Sequence, residues 1–96
     1  GEGRILSSET IVKKIEKEVN SLFFDTGAMA VFLEIHPDVE ELINYYIDED
    51  MFELGRSYNK PVFVRTSVEL HREGYTVKGI SIFEIAELRK KGCREI

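Results

Sequence analysis

Apolar residues recur at helical spacing near the start of the chain: Ile11, Ile15, Val19 and Leu22, with Val12 and Phe23 beside them. The repeat predicts an amphipathic helix, with Lys13, Lys14, Glu16, Lys17 and Glu18 on its wet face. Ser7 or Ser8 can cap its first exposed N–H groups, Glu9 suits the positive end of its dipole, and Asp25-Thr26-Gly27 ends it. The pattern then becomes almost continuously apolar from Ala28 to Ile35, through Val31 and Phe32. A strand that is apolar on both sides is expected to be central and covered on both faces. His36-Pro37 opens a second helix, with proline where its missing N–H costs nothing, and Val39, Leu42, Ile43, Tyr46 and Ile47 form its inner side.

Asp48-Glu49-Asp50 breaks or recaps the chain, and Met51, Phe52, Leu54 and Tyr58 suggest a short third helix. Asn59-Lys60-Pro61 is a turn, and Pro61 to Ser67 alternates as a strand, with Val62, Val64 and Thr66 on one face and Phe63 and Arg65 on the other. A loop from His71 to Gly74 leads to a strand from Tyr75 to Ile80, expected to run antiparallel to the one before it because the connection is short. Ser81 and Glu84 have capping-box spacing. They open a last helix through Ile82, Ile85, Ala86 and Leu88, which Lys90-Lys91-Gly92 closes. The expected fold is α+β in the order α-β-α-α-β-β-α, with the helices on one face of a small three-stranded mixed sheet. The first two strands can be joined by a parallel crossover.

At 96 residues the chain is expected to be one small domain over 1–96. No stretch approaches the ~18 apolar residues of a membrane span, and a single cysteine, Cys93, permits no internal disulfide and makes no zinc site by itself. Cytoplasmic location is the expectation. The formal net charge of −5 argues against a domain that attracts nucleic acid over its whole surface. The charge is uneven. From Glu34 to Glu53 there are acids and no Lys or Arg, whereas Arg56, Lys60, Arg65, Arg72, Lys78, Arg89, Lys90, Lys91 and Arg94 follow. Two solvated surfaces of opposite sign explain this; an acidic face that repels RNA or meets a basic partner is the sharper reading.

Few residues suggest chemistry. His36 is read as fixing a strand-to-helix corner, and His71, beside Glu73, as a loop residue rather than an acid–base partner. Asp48, Glu49, Asp50 and Glu53 could attract a hard cation, but the spacing is not that of a calcium loop, and a solvated helix junction is preferred. Ser7, Ser8, Ser57 and Ser81 lack a nucleophile-elbow context. Cys93 lies near Lys91 and Arg94 and is assigned no role. No residue is assigned as catalytic, cofactor-binding or metal-ligating.

Four stretches resemble, in order, a known family. Gly1-Glu2-Gly3-Arg4-Ile5 followed by Ser7-Ser8 resembles the Gly-x-Gly-x-Val/Ile and cap that follow the zinc-binding Cys-Pro-x-Cys knuckle of the bacterial ribonuclease E/G endoribonucleases. Leu33-Glu34-Ile35-His36-Pro37-Asp38-Val39 with Leu42, Tyr58-Asn59-Lys60-Pro61-Val62-Phe63-Val64, and Leu70-His71 with Glu73, Tyr75 and Val77 are similar to its later segments. The resemblance implies a C-terminal small domain serving structure and oligomerisation in a single-strand-specific endoribonuclease of RNA processing and decay. Residues 1–6 would be the trailing edge of the zinc link, 7–80 the small domain, and 81–96 a C-terminal helix extension beyond the match. The catalytic Mg²⁺ and structural Zn²⁺ would both be bound upstream, so the fragment alone would not be an enzyme. Its partners would be the rest of the ribonuclease and further copies of itself.

On this reading Tyr45, Tyr46, Phe52 and Phe63 are candidate interface residues, being more apolar surface than a small domain always hides. The alternative is an independent RNA-binding module, because the element order is similar to the KH fold. That fold clamps RNA with a Gly-x-x-Gly loop, and the equivalent junction here, Ile47-Asp48-Glu49-Asp50-Met51, has no glycine and three acids. Any RNA contact would therefore use Arg56, Lys60, Arg65 or Lys78.

Overall fold

The computed structural model describes residues 8–49, 59–71 and 74–96. Its elements are α1 (Ser8–Asp25), β1 (Ala30–Ile35), α2 (Pro37–Asp48), β2 (Val62–Thr66), β3 (Tyr75–Ile80), α3 (Ile82–Lys90) and β4 (Arg94–Glu95). The fold is α+β, built on a mixed sheet of four strands in the order β3-β1-β2-β4. The expected third helix falls on residues outside those described, as do Met51, Phe52, Leu54 and Tyr58.

β1 is central, as its double-sided apolarity requires. It pairs in parallel with β2, Val31 opposite Val62 and Ile35 opposite Thr66, and antiparallel with β3, Ala30 opposite Ile80 and Ile35 opposite Tyr75. The short connection between β2 and β3 thus does not make them neighbours. β3 lies on the far side of β1, and just past the end of β2 Ser67 N–H donates to Ile35 O at 2.9 Å. The most apolar strand takes the middle place because only there are both of its faces covered.

The helices do not share one face of the sheet, the arrangement that the sequence suggests. Ile11, Val12, Ile15, Val19 and Phe23 of α1 and Val39, Ile43 and Tyr46 of α2 pack on Val31, Leu33, Ile35, Val62 and Val64. On the other face Ile85 of α3 joins Ala30, Phe32, Phe63 and Ile80, with Leu88 and Cys93 against them. The alternation of β1 and β2 supplies both sets, so each face demands its own cover. The two crossovers, β1-α2-β2 and β3-α3-β4, lie on opposite faces between oppositely directed strands and therefore share one hand.

The sheet also has a strand more than the sequence pattern suggested. β4 is only two residues long, Phe63 opposite Glu95 and Val64 opposite Arg94. Two residues carry no detectable period. Its existence depends on the turn before it, where Gly92 has φ +76°, Gly92 N–H donates to Arg89 O and Cys93 N–H to Leu88 O. That pair of bonds is a Schellman ending, and it reverses the chain along the edge of β2. The two β4 side chains point to opposite faces. Arg94 bonds Glu40 at 2.7 Å and Asn44 on α2, while Glu95 accepts from Arg89 on α3 at 3.1 and 3.2 Å. The short strand therefore clasps both helical layers, although each exposed ion pair is worth only ~0–1 kcal/mol.

The caps follow the sequence. His36 Nδ1 accepts from Asp38 N–H at 3.1 Å ahead of Pro37, which is the corner role expected of it. Ser81 and Glu84 form the reciprocal capping box. At the sheet edge, Gly79 leaves room for Ala28, whose Cβ would stand 3.0 Å from a Cβ added there.

Two tyrosines tie α1 to the body. Tyr46 OH donates to Glu9 at 2.7 Å, and Tyr75 OH donates to Glu18. Partial burial, then the Glu18 hydrogen bond and charge, raise the Tyr75 phenol from 10.0 to about 12. The hydrogen bond to Glu9 and burial raise that of Tyr46 as well. A phenol whose folded pKa is raised binds its proton more tightly in the fold. Its contribution is therefore complete below pH 10 and lost as pH rises toward about 12. The urea midpoint is expected to fall through that window, and Tyr75→Phe should flatten part of the decline. An unchanged slope in that variant would exclude Tyr75 as the source.

Candidate nucleic-acid interface

Among the described residues, α3 covers only part of the second face of the sheet. α3 lies over Ala30, Phe63 and Ile80, while the strand alternation leaves Glu34, Arg65, Thr76 and Lys78 on the same face. Phe32 sits at the boundary, 8% exposed. Lys78 is its direct cross-strand partner on β3, and the Lys78 ammonium lies 5.7 Å from the centre of its ring. The Arg65 guanidinium lies 5.3 Å from the same ring. Cations over an aromatic face gain ~0.5–1 kcal/mol at exposed sites.

Arg65 is held by a second restraint. Its Nε and Nη2 both donate to Glu34 Oε2, at 3.0 and 2.8 Å. Glu34 and Arg65 are opposite one another in the parallel β1–β2 register, so the pairing follows from the sheet itself. The guanidinium is fixed by the carboxylate and the ring, yet its side chain is 62% exposed.

Between this patch and α3 runs a groove of about 280 Å³, with Phe32, Ile80 and Leu88 as apolar lining, Arg65, Lys78 and Lys91 as cations, and Glu84 and Glu87 on the helix side. A second hollow of about 350 Å³ shares Arg65, Leu88 and Lys91 and continues toward Thr66, Cys93 and Arg94. Arg65 and Lys91 therefore stand where the two hollows meet.

Of the four cations named for RNA, Arg65 and Lys78 come together. Lys60 does not: its ammonium donates to Ala28 O at 2.9 Å and lies 5.6 Å from the Phe23 ring, a residue of the α1 side. Arg56 lies outside the described residues. Lys91 was missed because it reads as an ordinary helix-ending lysine. Phe32 was missed because a strand apolar on both sides does not reveal which neighbour shares its face with Arg65. The alternation already set Phe63 with Arg65, and extending it across a parallel β1–β2 pair was the available signal.

The interface candidates also divide. Tyr45 is 56% exposed and is open surface. Phe63 is completely buried and Tyr46 is 7% exposed, so both are corrected from interface to core: Phe63 lies under α3, and Tyr46 faces α1. Phe52 lies outside the described residues. Among the described residues the large exposed apolar side chains are Phe24, Met29, Tyr45, Val68, Ile82 and Phe83.

Among the described residues no group of three or more His, Cys, Asp or Glu side chains is placed to hold a metal ion. Cys93 is a half-buried free thiol, with Sγ 3.5 Å from Val64 O. Among the same residues no helix is long and apolar enough to cross a membrane. No protein-family model, curated protein or solved structure matches the chain.

Proposed function

We propose that the chain is the C-terminal structural and oligomerisation domain of a ribonuclease E/G-type endoribonuclease, cytoplasmic, acting in RNA processing and decay and bringing no catalytic residue of its own. In this reading Mg²⁺ and Zn²⁺ belong to the part of the enzyme upstream. One correspondence supports it. The stretches that resemble the family fall at the junctions of elements: His36-Pro37 at the β1–α2 corner, Asn59-Lys60-Pro61 before β2, and Leu70-His71 before β3. Pro37, Asn59 and Pro61 mark helix starts and turns in any fold, so the support lies in the order of the stretches along the chain.

Assembly also needs surface that water does not favour, and Phe24 and Phe83 are 78% and 81% exposed. A small domain with several such side chains has material for an interface. Sedimentation equilibrium over a wide concentration range is expected to show a mass that rises with concentration. A strict monomer at the highest concentrations would remove self-association from the proposal.

The alternative, a KH-like module that binds RNA independently, is favoured by one observation: Arg65 and Lys78 meet beside an aromatic ring. The junction where such a module carries its glycine clamp has Asp48 and Glu49 at the end of α2, which oppose phosphate. The alternative therefore needs a different site on the domain.

A further inference from the structure

We infer that the groove between the open half of the second sheet face and α3 is a contact site for single-stranded RNA, with the Arg65 guanidinium as a stacking platform for a base and Lys78 and Lys91 as phosphate contacts. This goes beyond the assembly role and stands or falls separately from it. The argument starts with Arg65. Single-stranded RNA is held by stacking of its bases on aromatic rings or on guanidinium planes, with cations along the backbone. A useful platform must be held in place and still be open. Arg65 meets both conditions: two hydrogen bonds to Glu34 and the Phe32 ring hold it, and more than half of its side chain faces solvent.

The flanking charges come from different elements, Lys78 from β3 and Lys91 from the end of α3, and both line the groove that contains Arg65. Neither forms an ion pair among the described residues, so phosphate at Lys78 competes with the Phe32 ring contact rather than with a carboxylate. Glu84 and Glu87 border the opposite side. They oppose phosphate along the helix, which leaves Lys78 on the sheet and Lys91 past the helix end as the backbone contacts. The buried face of Phe32 is not available to a base, so stacking falls to the guanidinium above it.

With lysines as the two backbone contacts and a net acidic domain around them, binding is weak and dependent on salt. For single strands the slope of log affinity against log salt is about −0.7 per neutralised phosphate. Two contacts give about −1.4, with a dissociation constant at the weak end of the ~10⁻⁴ to 10⁻⁶ M range of non-specific binding.

The test is fluorescence anisotropy of the 96-residue chain with a labelled ten-residue oligouridylate, at a series of salt concentrations, with inorganic polyphosphate as a competitor of equal charge. Expected results are a salt slope near the estimate above, loss of about half that slope in K78Q or K91Q, and weakening of RNA binding at least threefold in R65K, which keeps the charge and removes the plane. Circular dichroism of each variant should match the parent, since all three side chains are exposed. Absence of binding at 50 mM salt up to about 1 mM protein, far above the expected range, would overturn the inference. So would unchanged affinity in K78Q/K91Q, or polyphosphate competing as well as unlabelled RNA with R65K unaffected. The sedimentation result has no bearing on any of these outcomes.

Discussion

Phe63→Ala is expected to destabilise the isolated domain by about 3–5 kcal/mol, the range for removing a buried phenylalanine, and to leave self-association of the remaining folded protein unchanged. Phe63 is fully buried between the sheet and α3 with Ala30, Phe32, Ile80 and Ile85, and the Arg89 guanidinium closes over its ring at 5.8 Å. The neighbours belong to paired strands and cannot collapse freely into the space, which puts the cost toward the upper part of the range. Such a loss is a large fraction of the ~5–15 kcal/mol that holds a typical domain. Urea unfolding of the variant and the parent measures it. The comparison with Tyr45→Ala is informative: an exposed residue should change stability by ~0.5 kcal/mol or less, whatever it does to association. A Phe63→Ala variant as stable as the parent would mean that α3 does not cover this face in solution.

The second large effect is expected from removing residues 82–96. Truncation after Ser81 takes away Ile85, Leu88 and Cys93 and uncovers Ala30, Phe32, Phe63 and Ile80. It also strips β4 from β2 and with it the Ile96 N–H bond to Val62 O at 2.8 Å. Each large apolar side chain returned to water costs ~1.5–3 kcal/mol, so the sum reaches the whole stability of a small domain. The expected outcome is loss of cooperative thermal unfolding, binding of a hydrophobic dye at neutral pH, and aggregation through the newly open edge of β2. If the truncated chain unfolds cooperatively within a few degrees of the parent, the tail is dispensable and the second layer is not a structural one. This result would also bear on the role of the tail, because residues 81–96 are the part that the ribonuclease E/G resemblance does not reach.

Local features were legible in the sequence wherever a short rule decides them. The α1 stripe, the His36-Pro37 corner, the Ser81–Glu84 capping box and the end of α3 at Gly92 each depend on side chains within one turn of one another. The centrality of β1 was legible too, because apolar residues at both odd and even positions can be hidden only in the middle of a covered sheet. The partner of β3 was not. A short connection favours pairing with β2, but β1 offered a longer apolar edge, and that preference is a comparison between two distant strands. The candidate site was half visible: Arg65 and Lys78 stood out as charges on strands, while their meeting over Phe32 depends on register across three strands.

The same division separates the buried aromatic residues from the exposed ones. Phe63 and Tyr45 look alike as apolar residues beside polar neighbours. Their fates differ because α3 returns to cover one and nothing among the described residues covers the other. By itself the sequence determined the class of fold, most of the elements and their caps, because those are set by interactions along a few consecutive residues. Only the tertiary structure decided which strands are neighbours, that α3 packs on the second face, that β4 exists, and that Arg65, Lys78 and Lys91 border one groove. These depend on which of several apolar surfaces finds its complement, a competition that no local pattern records.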